Sequence, residues 1–374
     1  MILALAFFLL SPQAEAAASG GLSTAIAALN EGDTATAVQK FQTLVAQRPT
    51  DLQARVGLIA AYLKSGRSSL VEQQVTAALS VPEPDFAVLM HLETLLVQAG
   101  RFQDALKAAK AAESRAPAVI DGQDRSVYFQ KVFAALYSES QRMDDAIHTL
   151  DAAIRQQPDE EENYYRLVLL LIRNGQMTDA FALAGSATAR FPDSAQILLS
   201  YALACFFSGH NDEAENVYRK LVRMQPDSDQ AHFALGNYYD DVKRPAEAAQ
   251  EFEIAAQKDP RNYLNFYMYG VANFKLNKLT EASAALHQAL SLNPQHADSW
   301  YWLGRIDLRS GKKQQAFDDF QKVVALQPRH LAAHYQLALL YAQRGEPDKS
   351  KEMFRQWREL NGLAEHNVVA ERMP

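Results

Sequence analysis

Prolines recur at a fixed interval along most of this chain. Pro158, Pro192, Pro226, Pro260, Pro294 and Pro328 are each 34 residues apart. Pro49 and Pro117 fit the same grid with small adjustments, and Pro82 and Pro84 straddle the slot between them. A period of this length marks a chain of stacked supersecondary units, because one short unit cannot bury its own apolar face. The interval from Pro117 to Pro158 is 41 residues, one period plus seven. The polar stretch Ile120-Asp121-Gly122-Gln123-Asp124-Arg125-Ser126 is the natural place for the extra seven.

Other positions keep the register. Seventeen residues before most proline slots stands a glycine: Gly32, Gly66, Gly100, Gly175, Gly209, Gly311 and Gly345, with Asn277 in the same place of another unit. Gly and Asn tolerate the left-handed conformation that ends one helix and starts a turn. Five residues later comes a small side chain, at Ala37, Ala105, Ala146, Ala180, Ala214, Ala248, Ala282, Ala316 and Ser350, with Val71 the exception. A small residue there lets two antiparallel helices approach closely. The proline follows the second helix and stops it. Within 297–330, Trp300, Leu303 and Gly304 share one face of a first helix; Phe317, Phe320, Val323 and Val324 share one face of a second. That is amphipathic helical spacing. No sustained period-two alternation occurs, so strands are not expected.

Each unit therefore reads as helix, tight turn, helix, proline turn. In this it resembles the tetratricopeptide repeat family. The fit is carried by Leu235, Gly236, Tyr239, Ala248, Phe252, Ala255 and Pro260 in 229–262, and by Phe266, Tyr269, Gly270, Ala282, Leu286, Ala289 and Pro294 in 263–296. Trp300, Leu303, Gly304, Ala316, Phe320 and Pro328 carry it in 297–330, where Asp307 departs from the large residue of the pattern. Glu93 and Ile59 depart at the slot of Gly or Ala. Ten units result: three degenerate ones over 18–119, the insertion 120–126, seven over 127–364, and a tail, 365–374, too short for another helix pair. The resemblance implies an all-α fold, an α-solenoid wound as a right-handed superhelix.

The N-terminus is a separate segment. Met1–Leu10 is uncharged and apolar, and Ser11-Pro12-Gln13 and Ala14-Glu15-Ala16 come after it. An apolar core, a helix breaker and an A-x-A site predict a secretory leader over 1–16, so the chain is expected to be exported, to the periplasm. The basic start of such leaders is missing. If the segment is instead a first helix, the chain is cytoplasmic. The apolar run is too short to span a bilayer.

The chemistry of the sequence excludes more than it offers. A net charge of -7 without a Lys/Arg cluster argues against nucleic acid as a partner. The single cysteine, Cys205, can form neither an internal disulfide nor a cysteine metal site, and packing accounts for it. No phosphate loop, dinucleotide loop, G-x-S-x-G or H-E-x-x-H motif is present, so the chain is not expected to be an enzyme and no cofactor is expected. His330 and His334 are four apart, but one falls in a turn and no third ligand is near, so no metal is expected. Asp159-Glu160-Glu161-Glu162 complements the dipole of the helix it opens.

The family uses the first helix of each unit to line a concave groove. Carried onto this chain, those slots hold Phe206, Phe233, Asn237, Tyr267, Val271, Phe274, Tyr301, Arg305 and Tyr335, with Leu199, Leu203 and Phe207 beside them. Aromatic and Arg side chains are enriched at interaction hot spots. The resemblance thus implies a protein-binding scaffold with proteins or peptides as partners. An accessory recognition subunit of a glycosyltransferase or export system is the alternative. Exposed repeat ends leave self-association open.

Overall fold

The computed structural model describes residues 15–370, and side chains over 20–362. The leader expected over 1–16 lies outside the described residues except for its last two positions. The chain divides into two compact units, Met1–Phe191 and Pro192–Pro374.

In the first unit, α1 (Glu15–Asn30) pairs with α2 (Thr34–Gln47), α3 (Leu52–Lys64) with α4 (Ser68–Leu79), and α5 (Phe86–Gln98) with α6 (Phe102–Glu113). After a short hairpin come α7 (Arg125–Glu139), α8 (Met143–Gln156), α9 (Glu161–Arg173) and α10 (Met177–Arg190). The second unit continues in the same pattern. It holds α11 (Ala195–Phe207), α12 (Asn211–Met224), α13 (Asp229–Asp241), α14 (Pro245–Lys258) and α15 (Tyr263–Lys275). It ends with α16 (Leu279–Leu292), α17 (Ala297–Arg309), α18 (Lys313–Leu326), α19 (Leu331–Gln343) and α20 (Pro347–Ala370). In each unit a helix packs chiefly on its neighbours in sequence, which is the arrangement of an all-α solenoid.

The turn inside each pair is built as the glycine spacing requires. Gly209 has φ +82°; its N–H donates to the Phe206 carbonyl at 3.0 Å, and the His210 N–H donates to that of Cys205 at 2.8 Å. These two bonds satisfy carbonyls that the end of α11 leaves open. The left-handed slot recurs in every pair, including two where the sequence has neither Gly nor Asn: Gln141 at φ +59° and Lys243 at +64°.

The small residue five positions on is buried at every slot, Val71 included. Its helix then lies against the first helix of the pair. An ideal Cβ on Gly236 would stand 2.7 Å from the Phe252 ring, and one on Gly304 2.8 Å from Phe320. Both rings are fully buried. First helices are capped by short polar side chains. Asp51, Asp85, Ser194, Ser228 and Asn262 each accept a bond from a backbone N–H two or three residues on. The acidic run provides no such side-chain cap: Glu160 stands at the N-cap of α9 without one, Glu161 and Glu162 occupy the first turn, Glu162 pairs with Arg166, and Asp159 reaches Arg190 at 2.5 Å.

One expectation is corrected. The insertion contains a minimal antiparallel hairpin, β1 (Val119–Ile120) and β2 (Gln123–Asp124), although strands were not expected. Asp121 and Gly122 at its tip have φ +49° and +78°, the paired positive values of a tight hairpin turn. Two residues per strand are too few to show alternation. At the other end, α20 runs on through residues 365–370.

Candidate functional site

The candidate side chains fall on the first helices of the second unit. α11 carries Phe206, α13 carries Phe233 and Asn237, and α15 carries Tyr267, Val271 and Phe274. α17 carries Tyr301 and Arg305, and α19 carries Tyr335. The 34-residue period repeats the same helix face each time, which is why residues so far apart in sequence form one row.

They differ in how far they reach the surface. Phe206 is half-buried and meets Phe207 and Tyr238 edge-on, at centroid distances of 5.2 and 5.9 Å. Phe233 leans on Phe252 at 5.6 Å. Asn237 is half-buried, and its amide has no hydrogen bond among the described residues. Tyr335 is 39% exposed and contacts Phe354 and Trp357 on α20. Val271 and Phe274 are placed inside the packing, 5% and 3% exposed, and Phe274 shares a core with Leu286, Leu303 and Ile306. These two support the face from beneath rather than forming its outer surface.

The densest part lies where α15 meets α17. The Arg305 guanidinium stands 5.3 Å from the Phe274 ring centroid, 5.8 Å from Tyr301 and 5.4 Å from Trp302. Arg309 covers the Phe274 ring at 4.0 Å and donates to the Phe274 carbonyl at 3.3 Å. Guanidinium–ring contacts of this kind are worth about 0.5–1 kcal/mol each at exposed sites. Arg305 donates one bond, from Nη1 to the Tyr301 hydroxyl at 3.3 Å. Its remaining N–H groups have no acceptor among the described residues. A guanidinium with open donors, framed by rings, suits a planar acceptor such as a carboxylate or peptide carbonyl.

Next to this cluster sits a polar group that sequence reasoning did not assemble. Asp298 lies between two histidines, Oδ1 3.5 Å from His330 Nε2 and Oδ2 4.0 Å from His296 Nε2. His330 Nδ1 accepts the Ala333 N–H at 3.1 Å, so its proton is on Nε2 and is donated toward Asp298. That bond holds the Asp298 carboxyl below the usual carboxylate range, assisted by the charge of His296 and opposed by burial. Burial lowers the pKa of His296, and Asp298 opposes this. The imidazoles continue the aromatic row: His296 meets Tyr267 at 4.7 Å, and His330 meets Tyr301 at 4.9 Å. The Tyr267 hydroxyl accepts a bond from Trp302, while burial pushes its pKa up. The signal for the group was the shared repeat slot of His296 and His330. Trp302, Asp298 and Arg309 left no trace in the repeat pattern. On α13 and α15, Asp240 and Lys275 form an ion pair at 2.5 Å beside the same face.

The remaining reactive candidates are packed. Cys205 is fully buried and its thiol is pushed up to about 12, chiefly by burial, so it is not a thiolate at neutral pH. His334 is buried, with Nε2 2.9 Å from the Pro328 carbonyl. Among the described residues no group of three or more His, Cys, Asp or Glu side chains is placed to hold a metal ion. No helix among them is long and apolar enough to cross a membrane.

The chain matches two known families. A profile described as "Tetratricopeptide repeat" matches residues 22–70, 133–195 and 305–362. One described as "Cilia and flagella-associated protein 70 C-terminal domain" matches residues 179–316. No match was found among curated proteins. Among solved structures, MamA is 25% identical, with 43% of this chain and 95% of that chain covered and a TM-score of 0.41. YrrB, described as a TPR protein with an unusual peptide-binding site, is 22% identical over 51% of this chain and 98% of its own, with a TM-score of 0.40. A tetratricopeptide repeat protein from Parabacteroides merdae is 16% identical over 63% and 93%, with a TM-score of 0.49.

Proposed function

We propose that this chain, which belongs to the tetratricopeptide repeat family, is a non-catalytic scaffold holding a segment of a partner protein on the first-helix face of α11, α13, α15, α17 and α19. The observation that carries the reading is large apolar surface left open along one face of a well-packed unit. Phe207 is 50% exposed, Leu264 38% and Tyr335 39%, with Phe206, Phe233, Tyr267 and Tyr301 half-buried between them. Contiguous apolar surface of this kind marks an interaction site, and Arg305 supplies a fixed polar contact within it. The partner is a protein segment rather than nucleic acid, since Lys275 on α15 is paired with Asp240 on α13 and Arg305 shares α17 with Asp298. The apolar run Met1–Leu10 supports a place of action in the cell envelope, outside the cytoplasm.

The test is site-specific photocrosslinking in the native host. A benzophenone amino acid replaces Leu264 or Tyr335 on the face, or Gln250 on the exposed side of α14 as control. A partner crosslinked from both face positions, absent from the control and reduced by Arg305→Ser, is the expected result. Crosslinks that are the same from all three positions overturn the reading.

A further inference from the structure

A second site lies on the far side of α15 from Tyr267 and Val271. Phe266 and Tyr269 are about half a helical turn away from those residues. They form the floor of an open cavity of about 460 Å³ between α14 and α16. Glu253 on α14 and Glu281 on α16 stand on its rim, and Gln288 also lines it. No Lys, Arg or His lines the cavity. Neither glutamate makes an ion pair among the described residues.

The neighbouring repeats show what chemistry this place accommodates. One period later, Trp300 takes the place of Phe266, Lys322 that of Gln288 and Asp319 that of Ala285. There the Lys322 ammonium lies 3.7 Å from the Trp300 ring centroid and 3.7 Å from the Asp319 carboxylate. One period earlier, His232 replaces Phe266 and Glu251 replaces Ala285, and the two side chains meet at 2.7 Å. Both flanking positions thus hold a basic group set against a carboxylate. The notch between them has rings and carboxylates but no basic group of its own. It is also open because Ala256 stands where the next unit has the buried Leu290, and Ala285 where it has Asp319.

We infer that the notch between α14, α15 and α16 binds the ammonium group of a lysine side chain presented by a partner protein. The ring faces of Phe266 and Tyr269 attract a cation and pack its aliphatic stem. Glu253 and Glu281 supply the opposite charge. Both carboxylates also act on the Tyr269 hydroxyl, whose pKa is raised by burial first, then by the charge of Glu253 and a hydrogen bond to it, and least by the charge of Glu281, against the pull of Asn273. The site is separate from the first-helix face and does not depend on what that face binds.

The test uses the full chain labelled at alanine methyl groups and titrated with Nα-acetyl-lysine N-methylamide, followed by NMR. The methyls of Ala256, Ala284 and Ala285 line the notch and report occupancy. Saturable shifts of these methyls are expected with the lysine probe and not with the norleucine analogue, which keeps the stem and lacks the charge. The double variant Glu253→Gln/Glu281→Gln is expected to weaken binding at least about ten-fold. Both residues are exposed, so the change leaves the fold intact. Gln288→Lys copies the arrangement at Trp300 and is expected to abolish binding by placing an internal ammonium in the notch. Absence of methyl shifts, equal shifts with norleucine, equally tight binding of the arginine analogue, or undiminished binding by Gln288→Lys each overturns the assignment.

Discussion

Asp319 offers a direct test of how the second unit is packed. Its carboxyl lies on α18 and is 9% exposed. Burial, with the like charges of Asp307 and Asp318, pushes its pKa from 3.8 to about 6 against the opposing pull of Lys322 and His287. The group is raised, so the folded chain holds its proton more tightly than the unfolded chain does. The native state is therefore favoured by this group at low pH and loses that advantage as pH rises from about 4 through about 6. A rise of this size corresponds to about 3 kcal/mol at pH 7 and about 1 kcal/mol at pH 4.5. Asp319→Asn removes the ionisation and keeps the shape. The attraction of Lys322, 3.7 Å away with its side chain half exposed, is already contained in that raised pKa and is lost with the charge. The variant is expected to be more stable than the natural chain by about 3 kcal/mol at pH 7, and by only about 1 kcal/mol at pH 4.5. Urea unfolding followed by tryptophan fluorescence measures this, because two of the three tryptophans, Trp300 and Trp302, stand on α17, against which α18 packs. A variant less stable at pH 7, or a difference from the natural chain that is the same at both pH values, refutes the burial of a costly carboxylate here.

Further outcomes rest on single contacts. Gly270→Val places a Cβ 2.8 Å from the Leu286 side chain and 3.2 Å from the Ala282 carbonyl, whose backbone cannot yield, and is expected to cost roughly 1–3 kcal/mol by thermal circular dichroism. Ser228→Ala removes the oxygen that accepts the Ala231 N–H at 3.3 Å, and should cost about 1 kcal/mol, read as faster hydrogen exchange in the first turn of α13. Asp298→Asn removes the charge that opposes the effect of burial on His296, so the NMR titration of His296 should move further below its ordinary range. In the same variant, neutral His296 favours the fold at pH above its ordinary value, and acidification through that region should weaken the fold more than in the natural chain.

The repeat period made most of the helix order legible, because one proline, one left-handed turn residue and one small residue per unit suffice to mark two helices. It under-read the turn at Gln141 and Lys243, where the side chain gives no sign of a positive φ. There the next residue, an arginine, helps hold the conformation. Arg142 and Arg244 donate their N–H groups to the carbonyls of Tyr137 and Tyr239 at 2.9 and 2.8 Å, and each guanidinium lies over the ring of that same tyrosine at 4.7 and 4.5 Å. Turn bonds and a stacked ring together offset the cost of about 1–2 kcal/mol that a non-glycine residue carries in this region. The Asp121–Gly122 hairpin escaped for another reason. An Asp-Gly pair signals a turn, but alternation cannot be seen in strands of two residues.

The site was less legible because exposure depends on what the next unit contributes. Phe274 occupies a slot of the first-helix face, yet Arg305, Arg309 and Trp302, from one unit later, close over it. Tyr335 occupies an outer slot of α19 and stays 39% exposed, touched at its side by Phe354 and Trp357 of α20. A period describes what units share, and shared residues are those that pack helix on helix. Recognition must instead reside where equivalent slots differ. His232, Phe266 and Trp300 are one slot in three successive units; the first meets an internal carboxylate, the third an internal ammonium, and the middle one an open cavity. Changing Ala248 or Ala282, which all units need, would damage the fold whatever the partner. Changing Gln288 leaves the repeat pattern intact and alters what the surface can hold.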